Sequence, residues 1–200
     1  MEHYKTESPF SHPVSSYYLN VDNYKVVEYL KTLPYQSINP HLNIYNAGFL
    51  SNPLESLPEL EKEIKLATQA YIKKVWKYDS NFHIFKSWAQ IVAPQGQGQK
   101  HYHSNSWLSG VYYPLGRPGF KIAFHNPVRH PWYHLPGEYN EYNSTTWTVT
   151  AQDNMVILFP SYLEHCPEKN TSLEKRYSLA FNVLPKGKFG SDDSEIVLNH

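Results

Sequence analysis

The sequence has little of several features that would assign it to a common protein class. Cysteine occurs once, so a disulfide framework is excluded and a reducing compartment is favoured. Lysine plus arginine and aspartate plus glutamate number 18 each, so the net charge is zero, and no basic run typical of nucleic-acid binding occurs. No hydrophobic stretch is long enough to cross a membrane, and the N-terminus lacks the apolar segment of a signal peptide. We therefore expect a soluble, cytoplasmic protein that binds neither nucleic acid nor a membrane.

Tyrosine and proline, in contrast, are abundant. There are 17 tyrosines and 15 prolines, a composition that favours short strands joined by loops over a helical bundle. At 200 residues and 40% hydrophobic, the chain can bury one substantial core, and it shows no internal repeat. We expect a single domain that spans residues 1–200.

Two helices are predicted in the N-terminal part of the chain. Apolar residues recur at helical spacing over 22–33, and Pro34 ends this pattern. A second helix is predicted to begin with a capping box at 56–59, which includes a proline, and its apolar stripe continues to Val75. These flanking helices, within about residues 1–80, are expected to support the rest of the domain.

From residue 82 onward the hydrophobic period changes to two, as in strands. The predicted strands cover 84–93, 98–103, 107–114, 120–124, 145–150, 155–159 and 176–183. Helices followed by strands indicate an α+β protein whose β core, about residues 82–185, is a sandwich or barrel. The long aperiodic stretch 125–144 predicts a lid or binding loop, in which residues such as Arg129 and Trp132 could contact a substrate.

Three histidines form a candidate metal site. His101 and His103 are two residues apart on a predicted strand, so both imidazoles point to the same face. His165 follows the apolar strand at 155–159. Imidazole binds iron, manganese, nickel and zinc, and three such ligands leave one side of the metal open to a substrate or oxygen. The spacing therefore predicts a facial metal site.

Arg176 and Ser178 form a candidate anion site on the last predicted strand. Their spacing puts both side chains on one face, and an arginine that points into an apolar core needs an anion as partner. The planar guanidinium can donate two parallel hydrogen bonds to a carboxylate, and the serine hydroxyl can add a third. A ligand that carries a carboxylate is therefore predicted beside the metal.

Together these motifs resemble the 2-oxoglutarate- and Fe(II)-dependent oxygenases, in particular a group common in phage and marine bacterial genomes. The resemblance rests on residues 101–113, HYHSNSWLSGVYY, on 158–165 and on Arg176, and it covers roughly Trp88 to Asn182. It implies a double-stranded β-helix, also called a jelly roll, that holds one Fe(II). It also implies that 2-oxoglutarate chelates the metal through its keto-acid end while Arg176 binds the far carboxylate. In related prolyl hydroxylases the second tyrosine of a Tyr-Tyr pair contacts this carboxylate, and Tyr113 has the matching place here.

The metal motif departs from the family pattern at one position. The usual triad is His-x-Asp or His-x-Glu with a distal histidine, whereas residue 103 is a histidine. One possible ligand set is His101, His103 and His165. In the other, His103 is the first ligand, Asn105 has the carboxylate position, and water or chloride fills the gap. We favour the three histidines, because residues i and i+2 reach one metal without backbone distortion.

The predicted function is oxidation of an unidentified substrate, a small molecule or a peptidyl side chain, with release of succinate and carbon dioxide. Hydroxylation is the expected outcome, and the missing carboxylate leaves halogenation and desaturation open. A cupin-like metal protein without 2-oxoglutarate is the alternative, but residues 104–111 lack the glutamate of the first cupin motif. A non-catalytic phage structural protein is a third hypothesis, although a scaffold has no use for an Arg-x-Ser anion site. The oligomeric state is left open.

Overall fold

A computed structural model describes residues 8, 10–48, 51–128 and 135–199. Within these ranges the elements are β1 (Ser15–Tyr18), α1 (Asn23–Thr32), β2 (Gln36–Asn39), β3 (Ile44–Ala47), α2 (Pro58–Ala70), β4 (Asn81–Val92), β5 (Leu108–Tyr113), β6 (Lys121–His125), β7 (Thr146–Thr150), β8 (Met155–Pro160), β9 (His165–Pro167), β10 (Arg176–Phe189) and β11 (Ile196–Leu198). A π-helical turn, Tyr71–Val75, continues α2. The described chain is thus rich in sheet with few helices, as the α+β prediction requires.

The strands form two antiparallel sheets. The large sheet has the order β1-β8-β5-β10-β4-β3-β2, with β11 paired to the far part of β10. The small sheet has the order β7-β6-β9. An isolated bridge between His101 and His165 attaches the first histidine segment to the edge of β9. The metal motif and the distal histidine, 64 residues apart in sequence, are therefore neighbours through backbone pairing.

Two hydrophobic clusters cover the two faces of the large sheet. On one face, Leu30 of α1 and Ile64 of α2 pack with Leu179 and Phe181 of β10. On the other, residues of β5 and β8 pack against the small sheet, whose contribution includes Phe124. Strand alternation explains this division, because successive residues of β5, β8 and β10 point to opposite faces. The helices thus support one side of the large sheet, and the space between the sheets lies on the other.

The predicted strands agree with the structure except at 98–103. In that segment only His101 forms a bridge, to His165. The N–H of His103 donates to the carbonyl of Ser161, so the antiparallel pairing does not extend along the segment. The N-terminal part also contains three strands, β1, β2 and β3, that the sequence did not reveal. Each is four residues long, too short for a clear period. The N-terminal support is therefore not purely helical.

The predicted capping box at the start of α2 is wrong. The N-cap is Leu57, whose side chain makes no capping hydrogen bond, and Pro58 is the first helical residue. Proline suits that position because it needs no N–H partner there, and it disfavours the helical conformation for the residue before it. Ser56 consequently belongs to the preceding 3-10 turn. None of the described helices is both long and apolar enough to span a lipid bilayer.

Candidate metal centre and anion site

The structure brings the three predicted histidines together. One ligating atom from each of His101, His103 and His165 lies within 4.8 Å of the other two. The ring centroids are 4.4 Å apart for His101 and His165 and 5.0 Å apart for His103 and His165. Asn105, from the alternative ligand set, is exposed in the following turn with a φ of 56°. The three imidazoles lie close enough together to offer three ligands to one metal ion.

Backbone carbonyls orient two of the imidazoles. Nδ1 of His101 is 2.8 Å from the carbonyl oxygen of Gln99, and Nδ1 of His165 is 2.9 Å from that of Leu163. Because a carbonyl can only accept, the Nδ1 atoms carry the protons and donate them. Each ring then keeps its lone pair on Nε2, the arrangement in which a histidine binds a metal.

Side chains orient the third imidazole. Nδ1 of His103 is 2.6 Å from Oδ1 of Asn182 and 2.8 Å from Oγ of Ser109, and Ser109 in turn donates to Oδ1 of Asn182 over 2.9 Å. The ring of Trp88 packs against His103 edge-on at 5.4 Å. Asn182 and Ser109 are not among the site residues predicted from the sequence. Strand parity could have found Asn182, because it shares a face of β10 with Arg176.

The imidazoles inside the fold are held neutral. Burial lowers the pKa of His103 to about 4 and that of His165 to about 3, and for His165 the neighbouring His101 acts in the same direction. Protons therefore do not compete for the lone pairs of these two rings near neutral pH. Neutral imidazoles are suitable ligands for Fe(II).

Arg176 is a buried cation with an unused hydrogen-bond donor. Its side chain is 1% exposed, and Nη1 donates to the carbonyl of Lys121 over 2.8 Å. Nη2 is buried without any hydrogen-bond partner, and no carboxylate of the described residues forms an ion pair with the guanidinium. Burial also lowers the pKa of Arg176. A buried charge in this condition is costly unless an anion completes it.

The other two predicted residues of the anion site line one cavity together with the histidines. Ser178 and Tyr113 are both nearly inaccessible to solvent. The cavity walls are formed by Trp88, Gln90, His101, His103, Gly110, Val111, Tyr113, Ile122, Phe159, His165, Pro167, Ser178 and Ala180. Burial raises the pKa of Tyr113, while the positive charge of Arg176 acts in the opposite direction. Arg176 is not among the lining residues, but its unpartnered Nη2 is a donor suited to a carboxylate, and the three imidazoles are ligands suited to a divalent metal.

Asn170 and Cys166 do not belong to this centre. Asn170 is buried, and its Nδ2 donates hydrogen bonds to the carbonyls of Val92 and Glu174, which is a structural role. Sγ of Cys166 is 3.6 Å from Nε2 of His125, and burial raises the pKa of this thiol, so it is poorly suited as a nucleophile. Of the predicted loop 125–144, His125 ends β6, and the described residues 126–128 and 135–144 contain no strand or helix. Residues 129–134 of that loop lie outside the described residues.

Comparisons with known proteins show what the chain is similar to. Residues 86–182 match a family described as "Putative 2OG-Fe(II) oxygenase". No curated protein sequence matches the chain closely enough to count as a relative. The phage and marine bacterial grouping has no support among these matches and stays a prediction.

Several solved structures of enzymes that use 2-oxoglutarate are similar to the chain. The carbocyclase SnoK from nogalamycin biosynthesis has 13% identity and a TM-score of 0.63, with 88% of this chain and 81% of SnoK covered. HygX from Streptomyces hygroscopicus, with nickel, 2-oxoglutarate and hygromycin B bound, has 11% identity and a TM-score of 0.59, with coverages of 87% and 83%.

A prolyl hydroxylase from Trichoplax adhaerens, in complex with a peptide of hypoxia inducible factor, is similar to the same extent. It has 10% identity and a TM-score of 0.59, with 86% of this chain and 83% of that chain covered. At such identities the likeness shows a shared fold, whereas the family match rests on the sequence itself. The matched region, just under half of the chain, contains all six predicted site residues, and over it the chain is similar to the 2-oxoglutarate- and Fe(II)-dependent oxygenases.

Proposed function

We propose that this protein is a 2-oxoglutarate- and Fe(II)-dependent dioxygenase that hydroxylates a substrate other than 2-oxoglutarate. We further propose that it is a single domain in which residues 82–185 form a double-stranded β-helix. The packing of β5 and β8 against the small sheet supports this architecture, as do the folds of the similar enzymes.

One observation carries the choice of co-substrate. Arg176 is buried with an unpaired Nη2, and Ser178, two residues further along the same face of β10, lines the cavity that holds the histidines. A cupin-like protein that binds only a metal has no need for a buried, unneutralised guanidinium. A diacid with one end at the metal and the other at Arg176 would remove the cost of that charge.

His101, His103 and His165 are the proposed ligands of Fe(II), through their Nε2 atoms. Iron and 2-oxoglutarate, when bound, supply the oxidation, in which one atom of O2 enters the substrate and the other enters succinate as carbon dioxide is released. The chain itself supplies orientation. Three protein ligands on one side of the metal leave the opposite side for the co-substrate and O2.

Arg176, Ser178 and Tyr113 are the proposed binding residues for the far carboxylate. The guanidinium offers Nη2, while Nη1 is already fixed by the carbonyl of Lys121, so the fork is held in one orientation before the ligand arrives. The hydroxyls of Ser178 and Tyr113 can add hydrogen bonds from the cavity wall. The apolar side chains of Val111, Ile122 and Phe159 line the same cavity and reduce the access of water to the reacting groups.

The substrate class is proposed only broadly, as a small molecule or a peptidyl side chain. HygX binds hygromycin B and the Trichoplax enzyme binds a peptide, so the fold serves both kinds of substrate. Nothing in the net charge of this chain favours a nucleic acid.

Anaerobic titration of the Fe(II)-loaded protein with 2-oxoglutarate tests the proposal. We expect saturable binding of one equivalent by calorimetry, together with the visible metal-to-ligand charge-transfer band that such chelates are expected to show. A protein that binds Fe(II) but gives neither heat nor a band on addition of 2-oxoglutarate would favour the cupin-like function instead.

A further inference from the structure

We infer that Asn182 is a positioning residue that sets the tautomer of His103 and so makes its Nε2 available to a metal. The inference rests on the proposed function, because it concerns how the chain prepares His103 as an iron ligand. An imidazole has two neutral tautomers, and only the one with its proton on Nδ1 can ligate through Nε2.

The hydrogen-bond partners of Nδ1 are side chains for His103, whereas they are backbone carbonyls for the other two proposed ligands. The Nδ1 atoms of His101 and His165 donate to the backbone carbonyls of Gln99 and Leu163. For His103 the corresponding partners are Oδ1 of Asn182 at 2.6 Å and Oγ of Ser109 at 2.8 Å. A hydroxyl can both donate and accept, so Ser109 by itself does not select a tautomer. An amide oxygen can only accept, so Asn182 does.

The surroundings hold Asn182 in this role. Its Oδ1 also accepts the hydroxyl proton of Ser109, and Ser109 is hydrogen-bonded to Ser161 over 2.8 Å. Ser109 and Ser161 are both inaccessible to solvent. The network continues from Ser161 to Ser106, which can donate to the carbonyl of Val183. Each hydroxyl has one proton, so with Ser109 donating to Asn182, Ser161 donates either to Ser109 or to Ser106, and the amide beside His103 is in contact with buried polar groups on this side.

The position of Asn182 on β10 also fits this role. The pairing of β10 with β4 is regular from Arg176 to Asn182 and shifts only after it, where Phe85 of β4 is left without a partner, so Asn182 keeps the face of β10 that Arg176 uses. If the amide of Asn182 were reversed, Nδ2 would donate to Nδ1 of His103. The proton would then sit on Nε2, and the metal-binding lone pair would be lost. The orientation of one amide therefore decides whether His103 can ligate.

Three variants separate this role from a general structural one. Asn182→Asp keeps an acceptor and cannot donate, Asn182→Leu removes the acceptor, and Ser106→Ala is the control because Ser106 belongs to the network without touching His103. Long-range nitrogen-proton NMR of the metal-free protein reports the tautomer of each histidine directly. We expect the Nδ1–H tautomer of His103 in the unsubstituted protein, in Asn182→Asp and in Ser106→Ala, and a mixture of tautomers in Asn182→Leu.

Affinity for Co(II), followed by its visible absorption, gives the second measurement. Asn182→Leu should bind Co(II) about 10-fold to 100-fold more weakly, as is usual when the partner of a metal-bound histidine is lost. Asn182→Asp should restore the affinity, and Ser106→Ala should leave it unchanged. A thermal melt of each variant accompanies the titration.

The inference is overturned if His103 of the unsubstituted protein carries its proton on Nε2, or if folded Asn182→Leu keeps both the tautomer and the Co(II) affinity. Should Asn182→Leu fail to fold, the NMR spectra of the unsubstituted protein and Asn182→Asp still decide. Normal Co(II) binding with the expected tautomers but no affinity for 2-oxoglutarate would refute the proposed function and leave this inference standing.

Discussion

Arg176 and Asn182 project from the same face of β10, six residues apart. The first ends in the unpaired Nη2 and the second holds Nδ1 of His103, so one strand carries both the anion site and a support of the metal centre. At the usual rise of a strand their backbone positions are about 20 Å apart. Between them, Ser178 and Ala180 face the cavity. The six-residue spacing along β10 thus sets the distance between the anion site and the support of the metal centre.

Changing His165→Ala should abolish stoichiometric metal binding. His165 is one of three proposed ligands, and it is buried. Among the described residues no other carboxylate, histidine or cysteine belongs to the cluster, so none can replace it. His41→Ala, at an exposed histidine of a 3-10 turn, is the control and should bind normally. Elemental analysis after gel filtration measures the metal. Full retention of metal by His165→Ala would remove this residue from the site.

Substitution of the middle ligand tests the three-histidine set. His103→Asp should retain iron, because it restores the commoner His-x-Asp triad at a position that faces His101 and His165. His101→Ala and His103→Ala should each weaken iron binding strongly. If His101→Ala kept the iron affinity of the unsubstituted protein, His103 would be the first ligand, and the set with Asn105 would replace ours.

Arg176→Lys should weaken 2-oxoglutarate while leaving metal binding intact. Lysine keeps the charge but cannot reproduce the planar fork, and loss of a hydrogen bond to a charged group typically lowers affinity about 10-fold to 100-fold. Ser178→Ala should be milder, about 0.5–1.5 kcal/mol. The control Arg117→Lys changes a partly buried arginine that pairs with Glu174 outside this site and should have no effect. Calorimetry on the anaerobic Fe(II) protein measures the dissociation constant of 2-oxoglutarate for each variant. Equal affinities of Arg176→Lys and Arg117→Lys for 2-oxoglutarate would contradict the account.

Gly110→Ala should destabilise the fold. A Cβ at this position of β5 would overlap the ring of Phe181 and a methyl group of Leu158, both fully buried. Overpacking of this kind typically costs about 1–3 kcal/mol. Gly137→Ala, where a Cβ meets no atom within 4 Å, is the matched control. Urea unfolding of the two metal-free variants measures the difference, and equal midpoints would show that the core around Phe181 adapts freely.

The residues at the centre could be predicted because their signals are local. His101 and His103 share a face by spacing alone, and Arg176 and Ser178 do so on β10. That His165 would meet the first two depended on the resemblance of the whole motif set, since its pairing with His101 spans 64 residues.

Strand parity indicates which face of β10 Asn182 occupies, but its contacts with Ser109 and His103 could not be predicted from such local signals. The contact of Asn182 and Ser109 with His103 depends on the register between β10 and β5, where Asn182 pairs with Ser109. Register across strands is set by long-range packing, which spacing within one strand does not report. The short strands β2 and β3 escaped notice for the same reason, because they are defined by pairing at the edge beyond β4.

A crystal structure of the protein with Fe(II) and 2-oxoglutarate, prepared without oxygen, tests the central claim most directly. Our account predicts one iron bound by Nε2 of His101, His103 and His165, with the keto-acid end of 2-oxoglutarate on the metal. It also predicts the far carboxylate within hydrogen-bond distance of Nη2 of Arg176. An iron held without one of these histidines, or a far carboxylate bound elsewhere while Nη2 stays unpaired, would contradict it.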